Sequence, residues 1–403
     1  MQIVSLSDVH SMSMRLDFVP IGTKQGLFFS VRRELNAAAG QREIVRCIQE
    51  NHGTIPVKKT SQLEPKGVRV RIVSLLASAT EMVAALGCLD QLVGRSHECD
   101  YPPEVLELPV VSRVQINVEG SSAEIDAQIK ALAEAQRMNT GSSTPSGIAL
   151  APEVDAALKA LSIYAIDITQ LQELRPDVIF TQTQCEVCAV SERDVTRAVQ
   201  QLTELEPRVV SLAPYRLSDV WEDVLRVGEA LGRREQAEAL VQGYKQRLGR
   251  LEKITATFAE ESRKPRVAVL EWLDPLMGAG NWTPELVAFA GGDHVFGEVG
   301  LHSPWLSWAE LQAVDPDVLV LSPCGYTIER TLVDVPLLEK HAVWQNLSAV
   351  RNGRVYAIDG NAYVNRSGPR LVDSAELLGH VIWGERLGIE VDRNGWRHLM
   401  LFK

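Results

Sequence analysis

Residues 68–95 read VRVRIVSLLASATEMVAALGCLDQLVGR. The Val-, Ile- and Leu-rich VRVRIVSLL predicts a strand, because branched side chains pack well on a pleated surface. SATEMVAALGC predicts a helix opened by Ser78 or Thr80 as N-cap and closed near Gly87. DQLVGR predicts a second strand. Strand, helix and strand in this order make one unit of a parallel α/β sheet.

The same alternation runs outward from this unit. A polar insertion spans about 117–160, and its core, MNTGSSTPSG, reads as loop or disorder. The helix ITQLQELR, the strand DVIFTQ, the helix SERDVTRAVQQLTEL and the strand RVVSLA follow. Residues 217–259 form a long helical stretch that Gly232 divides. Its second part carries Ala237, Leu240, Val241, Tyr244, Leu248 and Leu251 at helical spacing. Alternation restarts at residue 266 with PRVAVLEW and continues through DVLVLSP and RVYAIDG to the closing helix PRLVDSAELLGHVIWGERLG. The fold class is α/β, with two Rossmann-like parallel-sheet lobes joined by one long helix. Residues 1–67 read as a poorly structured N-terminal extension and 68–216 as the N-terminal lobe. Residues 217–262 are the interlobe helical linker, 263–388 the C-terminal lobe and 389–403 a C-terminal tail.

Composition narrows the function. The 403 residues are 45% hydrophobic and 23% charged, with a net charge of −11. Lys and Arg are scattered, which argues against a nucleic-acid or anionic-membrane surface. No apolar run reaches the ~20 residues needed to span a bilayer. The start, MQIVSLSDVHSMSMRLDFVP, lacks a basic segment followed by an unbroken apolar core, so it does not read as a secretory signal. Six cysteines in so long a chain suggest free thiols rather than a disulfide scaffold. The expectation is a cytoplasmic protein, with a periplasmic one as the alternative.

Ligands of open parallel sheets bind beyond the C-terminal ends of the strands. His97, Cys99 and Tyr101 follow one predicted strand, Cys185 and Cys188 another, and Tyr215 a third. In the second lobe Trp272, Asp274 and Trp282 follow one strand, Cys324 and Tyr326 another, and Tyr363 and Arg366 the last. Facing lobes would gather these residues into one cleft. Each has a plainer reading: a free Cys is often core, a lone His is often structural, and Trp305 and Trp308 can simply pack. Three chemistries fit the cluster. Cys99, Cys185, Cys188 and Cys324, with His97, suit Zn or an Fe–S cluster. The Cys185–Cys188 pair suits thiol exchange, the basis for a reductase. An imidazole in an aromatic cleft suits the metal of a bound tetrapyrrole or corrinoid. No GxSxG, P-loop or HExxH occurs, and no acid–base or nucleophile set stands out, so binding rather than turnover is expected.

From about 69 to 388 the chain resembles the substrate-binding proteins of ABC importers for cobalamin and iron–siderophores, the class III periplasmic-binding-protein fold. RIVSLLASATEMVAALG (71–87), DYPPE (100–104), LPVVS (108–112) and LRPDVIF (174–180) carry the likeness. AGGDHVF (290–296), SPWLSWAELQAVDPDVLVL (303–321) and RSGPRLVDSAELL (366–378) complete it. The cobalamin-binding members are the most similar. The resemblance implies a small-molecule ligand, cobalamin or a related corrinoid, held between the lobes. Iron–siderophore or haem is the other ligand class. Tyr101, Trp272, Trp282 and Arg366 would then line the cleft, with Tyr215, Asp274, Tyr326 and Tyr363 beside them. His97 would be the axial ligand of cobalt. Two features depart from the importer pattern. Thr169 and Ala309 stand where each lobe is expected to offer a Glu for docking on a membrane permease, so that docking is doubtful. The thiols of HEC, CEVC and PCG are additions, which suggests a non-exported variant.

Overall fold

The computed structural model describes residues 28–32, 44–48, 69–140, 163–184, 192–200, 206–261 and 263–399. The chain divides into two compact units, Met1–Arg69 and Val70–Lys403. In the first, β1 (Phe28–Arg32) pairs antiparallel with β2 (Ile44–Ile48), Phe28 opposite Ile48. The segment expected to be poorly structured therefore holds a strand pair, built from FFSVR and IVRCI, sequences of high β-propensity.

The second unit opens with β3 (Ile72–Ser74), α1 (Ala77–Ala85) and β4 (Leu92–Arg95), the elements read from residues 68–95. Helix α1 begins earlier than its serine suggested. Leu76 is the N-cap residue and makes no side-chain cap. Ser78 and Thr80 lie inside the first turns and are buried. Next come β5 (Ser112–Val114), α2 (Ser122–Thr140), β6 (Tyr164–Ile166), α3 (Ile168–Leu174), β7 (Val178–Gln182), α4 (Glu192–Val199) and β8 (Arg208–Leu212). The main sheet has the order β4-β3-β7-β8, with every pairing parallel. All five residues of β7 are buried, as expected for a central strand covered on both faces. Strands β5 and β6 form a separate antiparallel pair.

Helix α2 falls inside the insertion read as loop. Its sequence, SAEIDAQIKALAEAQRMNT, is dominated by good helix formers. A capping box starts it: Ser121 N–H donates to Glu124 Oε2 at 2.8 Å, and Glu124 N–H donates to Ser121 Oγ at 3.4 Å.

Two helices join the lobes, α5 (Leu217–Ala230) and α6 (Arg234–Glu261). Gly232 sits between them at φ +65°, a conformation that costs glycine little. Gly228 lets the helices approach, because a Cβ there would lie 2.5 Å from that of Ala237. Ala237, Val241, Tyr244, Leu248 and Leu251 are buried along α6, as their spacing required.

The C-terminal lobe contains β9 (Arg266–Leu273), β10 (Leu276–Gly278), α7 (Thr283–Phe289), β11 (Asp293–His294), α8 (Trp308–Val314) and β12 (Val318–Leu321). It continues with α9 (Ile328–Glu339), α10 (Ser348–Arg351), β13 (Val355–Ile358), α11 (Leu371–Trp383) and β14 (Trp396–His398). The sheet order is β10-β9-β12-β13-β14, with β11 beside β9. Strands β9, β12 and β13 are parallel, while β10 and β14 are antiparallel edges. Ile358 lies opposite Trp396, so the segment read as a tail supplies a strand of the sheet.

One buried apolar cluster runs through both lobes. It includes Met82 of α1, Trp221 of α5, Leu251 of α6, Leu286 of α7 and Leu378 of α11.

Candidate functional site

The loops at the C-terminal ends of the strands meet where the lobes adjoin. Arg366, in the loop after β13, crosses from the C-terminal lobe. Its Nη1 donates to Asp100 Oδ1 at 2.6 Å and to Glu81 Oε1 at 3.0 Å. Arg370 donates from Nη2 to the same Glu81 oxygen at 2.5 Å and from Nε to Glu81 Oε2 at 3.0 Å. Asn361 Nδ2 donates to Asp100 Oδ2 at 2.6 Å. Arg366 and Glu81 are buried, so their charges are strongly coupled. Burial pulls the Arg366 guanidinium down, but Glu81 and Asp100 outweigh it and hold it above its ordinary value. Burial pushes the Asp100 carboxyl up, yet Arg366, Asn361 and Arg370 keep it below the usual range.

A second contact lies at the start of α2. Trp272 Nε1 donates to Ser122 O at 3.2 Å, Ser122 N–H donates to Asp334 Oδ2 at 3.3 Å, and Arg330 Nη2 donates to Gly120 O at 2.5 Å. Tyr326 joins them: its ring centroid lies 5.2 Å from that of Trp272, and the Arg330 guanidinium sits 4.3 Å from it. Burial pushes the Tyr326 hydroxyl up to about 12.

His97 lies on the loop after β4. Its Nδ1 is 2.9 Å from Ser112 Oγ, and its ring is tilted 40° against Tyr164 at 5.4 Å. Its side chain is 25% exposed, enough for one ring edge to be reached. Burial, then the nearby Arg95 charge, lowers its pKa and favours the neutral imidazole, the form that ligates metals. The neighbouring Glu98 accepts from Tyr164 Oη at 3.2 Å, and burial pushes its carboxyl up to about 7.

The other expected residues separate. Tyr101 is 46% exposed, with the Arg370 guanidinium 4.3 Å from its ring centroid. Tyr363 is buried and donates to Asp392 Oδ2 at 2.7 Å. Both border a cavity of about 550 Å³ shared with Arg247, Asp373 and Glu376 of α6 and α11. Carboxylates outnumber arginines five to two in its wall, a poor match for a neutral macrocycle. Tyr215 is exposed, and Asp274 is exposed in the β9–β10 turn.

Three expectations need correction. Trp282 is not a cleft wall: it is 4% exposed, and its Nε1 donates to Val364 O at 2.7 Å, so the indole is spent on the core. Arg366 is not free for a ligand, because its guanidinium is taken by Asp100, Glu81 and Asn361. Cys99 is fully buried rather than lining the cleft. Thr80 Oγ1 donates to its sulfur at 3.0 Å, and burial pushes the thiol up to about 11, far from the thiolate that binds metal. Cys185 and Cys188 lie outside the described residues, and Cys324 is half-buried. Among the described residues no three His, Cys, Asp or Glu side chains gather as a metal site.

Thr169 and Ala309 are exposed. Glu310, next to Ala309, is held in the capping box of α8: Ser307 N–H and Oγ each donate to its Oε2 at 2.7 Å. Sequence reading missed Ser112, Glu81 and Asp334, the side chains that organise these contacts. Ser112, inside the LPVVS match, and Glu81, inside RIVSLLASATEMVAALG, lay within stretches already singled out, whereas Asp334 did not.

Comparison with known proteins agrees with this architecture. Residues 116–362 match the family described as periplasmic binding protein. An ABC transporter substrate-binding lipoprotein of Bacillus subtilis, YvrC, is 24% identical over 80% of this chain and 82% of its own. The vitamin B12-binding protein of Vibrio cholerae is 22% identical over 76% of this chain and 87% of its own. Among solved structures, a periplasmic haem-binding protein of Pseudomonas aeruginosa superposes with a TM-score of 0.55 at 20% identity, covering 78% of this chain and 92% of that one. The V. cholerae periplasmic vitamin B12-binding protein BtuF gives 0.51 at 20% identity, over 77% and 96%. These matches correct the expectation of a cytoplasmic, non-exported protein. The relatives are a lipoprotein and periplasmic proteins, which points to a location outside the cytoplasm. Among the described residues no helix is long and apolar enough to cross a membrane.

Proposed function

The chain belongs to the periplasmic binding protein family, and from that premise we propose that it is the substrate-binding component of an ABC importer and takes a corrinoid between its lobes. The observation that carries the metal-centred ligand is His97. It is a partly exposed imidazole on the loop after a strand, with one ring nitrogen tied to Ser112 and the other 3.9 Å from its nearest carboxylate, beyond hydrogen-bond range. Relatives named as vitamin B12-binding, matched over about three quarters of the chain, support cobalamin as the ligand. Haem is the second reading, because it too is a flat macrocycle whose metal accepts an axial imidazole. Binding is the function, with no turnover. Engagement with a permease would use groups other than the two expected carboxylates, since Thr169 and Ala309 carry no charge and Glu310 already caps α8.

Parallel absorption titrations with hydroxocobalamin and with hemin test this. A saturable shift of the corrin bands, lost in His97→Ala while the fold survives, is the expected result. A saturable Soret shift with no corrin response would transfer the site to haem. No response to either would end the reading.

A further inference from the structure

We propose that the start of the inserted helix α2 is a latch on the ligand cleft: residues 120–122, held on the C-terminal lobe by Arg330, Asp334 and Trp272, must lift before the ligand can enter. That the latch lifts stands on its contacts, whereas what it admits rests on the function proposed above.

Trp272 stands at the C-terminal end of β9 and Tyr326 in the loop after β12, the edge at which ligands of parallel sheets bind. That edge is taken by the chain's own backbone. Trp272 Nε1 donates to Ser122 O and Arg330 Nη2 to Gly120 O, while Ser122 N–H donates to Asp334 Oδ2. Ser122 is fully buried, although residues 117–119 just before it are exposed. Helix α2 then stays on the C-terminal lobe. Lys130, about two turns on, holds its Nζ 5.1 Å from the ring centroid of Trp305. The helix lies in sequence between β5 and β6, which pair with each other in the N-terminal lobe. The segment therefore reaches out from one lobe and fastens on the other.

Three features let this contact open. The groups offered by residues 120–122 are two carbonyls and one N–H, all neutral and able to turn to water. Arg330 keeps partners inside its own lobe, Asp334 Oδ1 at 3.1 Å and Tyr326 Oη at 3.1 Å, so lifting the segment strands neither charge. Ser122 Oγ is buried with no hydrogen-bond partner among the described residues, a cost that only the latched form carries. Elsewhere at the junction Arg366 and Glu81 pair buried charges, and parting them would leave ions uncompensated. The side at α2 is therefore the one that gives way.

The test uses the full chain. Without ligand, the Ser122 amide should exchange through a local opening, faster than the amides of β9 and insensitive to low urea. Arg330→Ala should speed that exchange about 10-fold or more, as expected for losing a hydrogen bond from a charged donor. Trp272→Phe, which removes only the indole N–H, should speed it by a smaller factor. Exchange of Ser122 only through global unfolding, or no acceleration in either variant, overturns the latch whatever the ligand. In stopped-flow mixing with excess hydroxocobalamin, the observed rate should level off with concentration at the opening rate. Arg330→Ala should raise that ceiling by the factor seen in exchange. Rates that climb linearly, with equal slopes in wild type and Arg330→Ala, overturn the gating role while binding stands. No response to hydroxocobalamin overturns the corrinoid reading instead, and the exchange result then decides the latch by itself.

Discussion

Arg366 and Arg330 both reach from the C-terminal lobe to the N-terminal one, but they meet different partners. Arg366 finds two carboxylates, and one of them, Glu81, is buried. Arg330 finds a backbone carbonyl at the start of an inserted helix. The first contact commits full charges to a desolvated site, where a missing partner leaves an uncompensated ion. The second also contains a buried ion pair, Arg330 with Asp334 at 3.1 Å, but both of its charges lie in the C-terminal lobe, and what they reach across to are neutral backbone groups. One side of the junction is therefore a weld and the other a clasp.

Three changes would break or sharpen this contrast. The largest effect is expected from Arg366→Met, which strands Glu81 and Asp100 and should cost about 3–5 kcal/mol in urea unfolding. A loss below about 1 kcal/mol would mean that Arg370 alone compensates both acids. Arg330→Ala should cost less, about 1.5–3 kcal/mol. Its signature should be faster amide exchange at Ser122 and its neighbours, with α11 unaffected. Equal acceleration in both places would show that clasp and weld open together.

The third change concerns a carboxylate beside an arginine that behaves unlike Asp100. Asp223 of α5 is 2% exposed and paired with Arg226 at 2.5 Å, yet burial pushes it up to about 7. Arg226 and the Ala213 N–H oppose that shift, while Asp219 and Glu222 add to it. Arg226 is itself 47% exposed, against 7% for Arg366, so water weakens its field. A raised folded pKa means that the contribution of Asp223 is complete below its unfolded value of about 3.9 and is lost as pH rises through about 7. For Asp100 the sign is reversed, and its contribution is lost on acidification. Asp223→Asn should therefore gain about 1 kcal/mol or more on the wild type between pH 5 and pH 8. A parallel pair of stability curves would refute the assignment.

Much of the fold was legible because strand–helix alternation is local. Residues 68–95 show it, and so does the apolar stripe of α6. Helix α2 was hidden by its polar composition, although Ser121 and Glu124 form a capping box three residues apart and were a readable signal. The site was less legible because its partners are remote. Nothing near Arg366 in the sequence points to Glu81, 285 residues earlier. Trp282 shows a different limit. An aromatic after a strand fits a cleft wall and a core equally well, and only the carbonyl of Val364, taking the indole proton, decides for the core. Cys99 turned inward for a similar reason, since Thr80 offers its sulfur a hydrogen bond within the core.

The apolar cluster that runs through α1, α5, α6, α7 and α11 has a consequence for how the molecule melts. Because α5 packs on α1 and on α6, and α6 packs on α7 and α11, the largest apolar cluster is shared, although each lobe also keeps a smaller core of its own. Severed near residue 262, each half would expose the side chains that now fill the other. The lobes should lose structure in a single calorimetric transition rather than two. Any ligand gripped at the junction would then shift that whole transition upward, in proportion to the logarithm of its concentration over its dissociation constant.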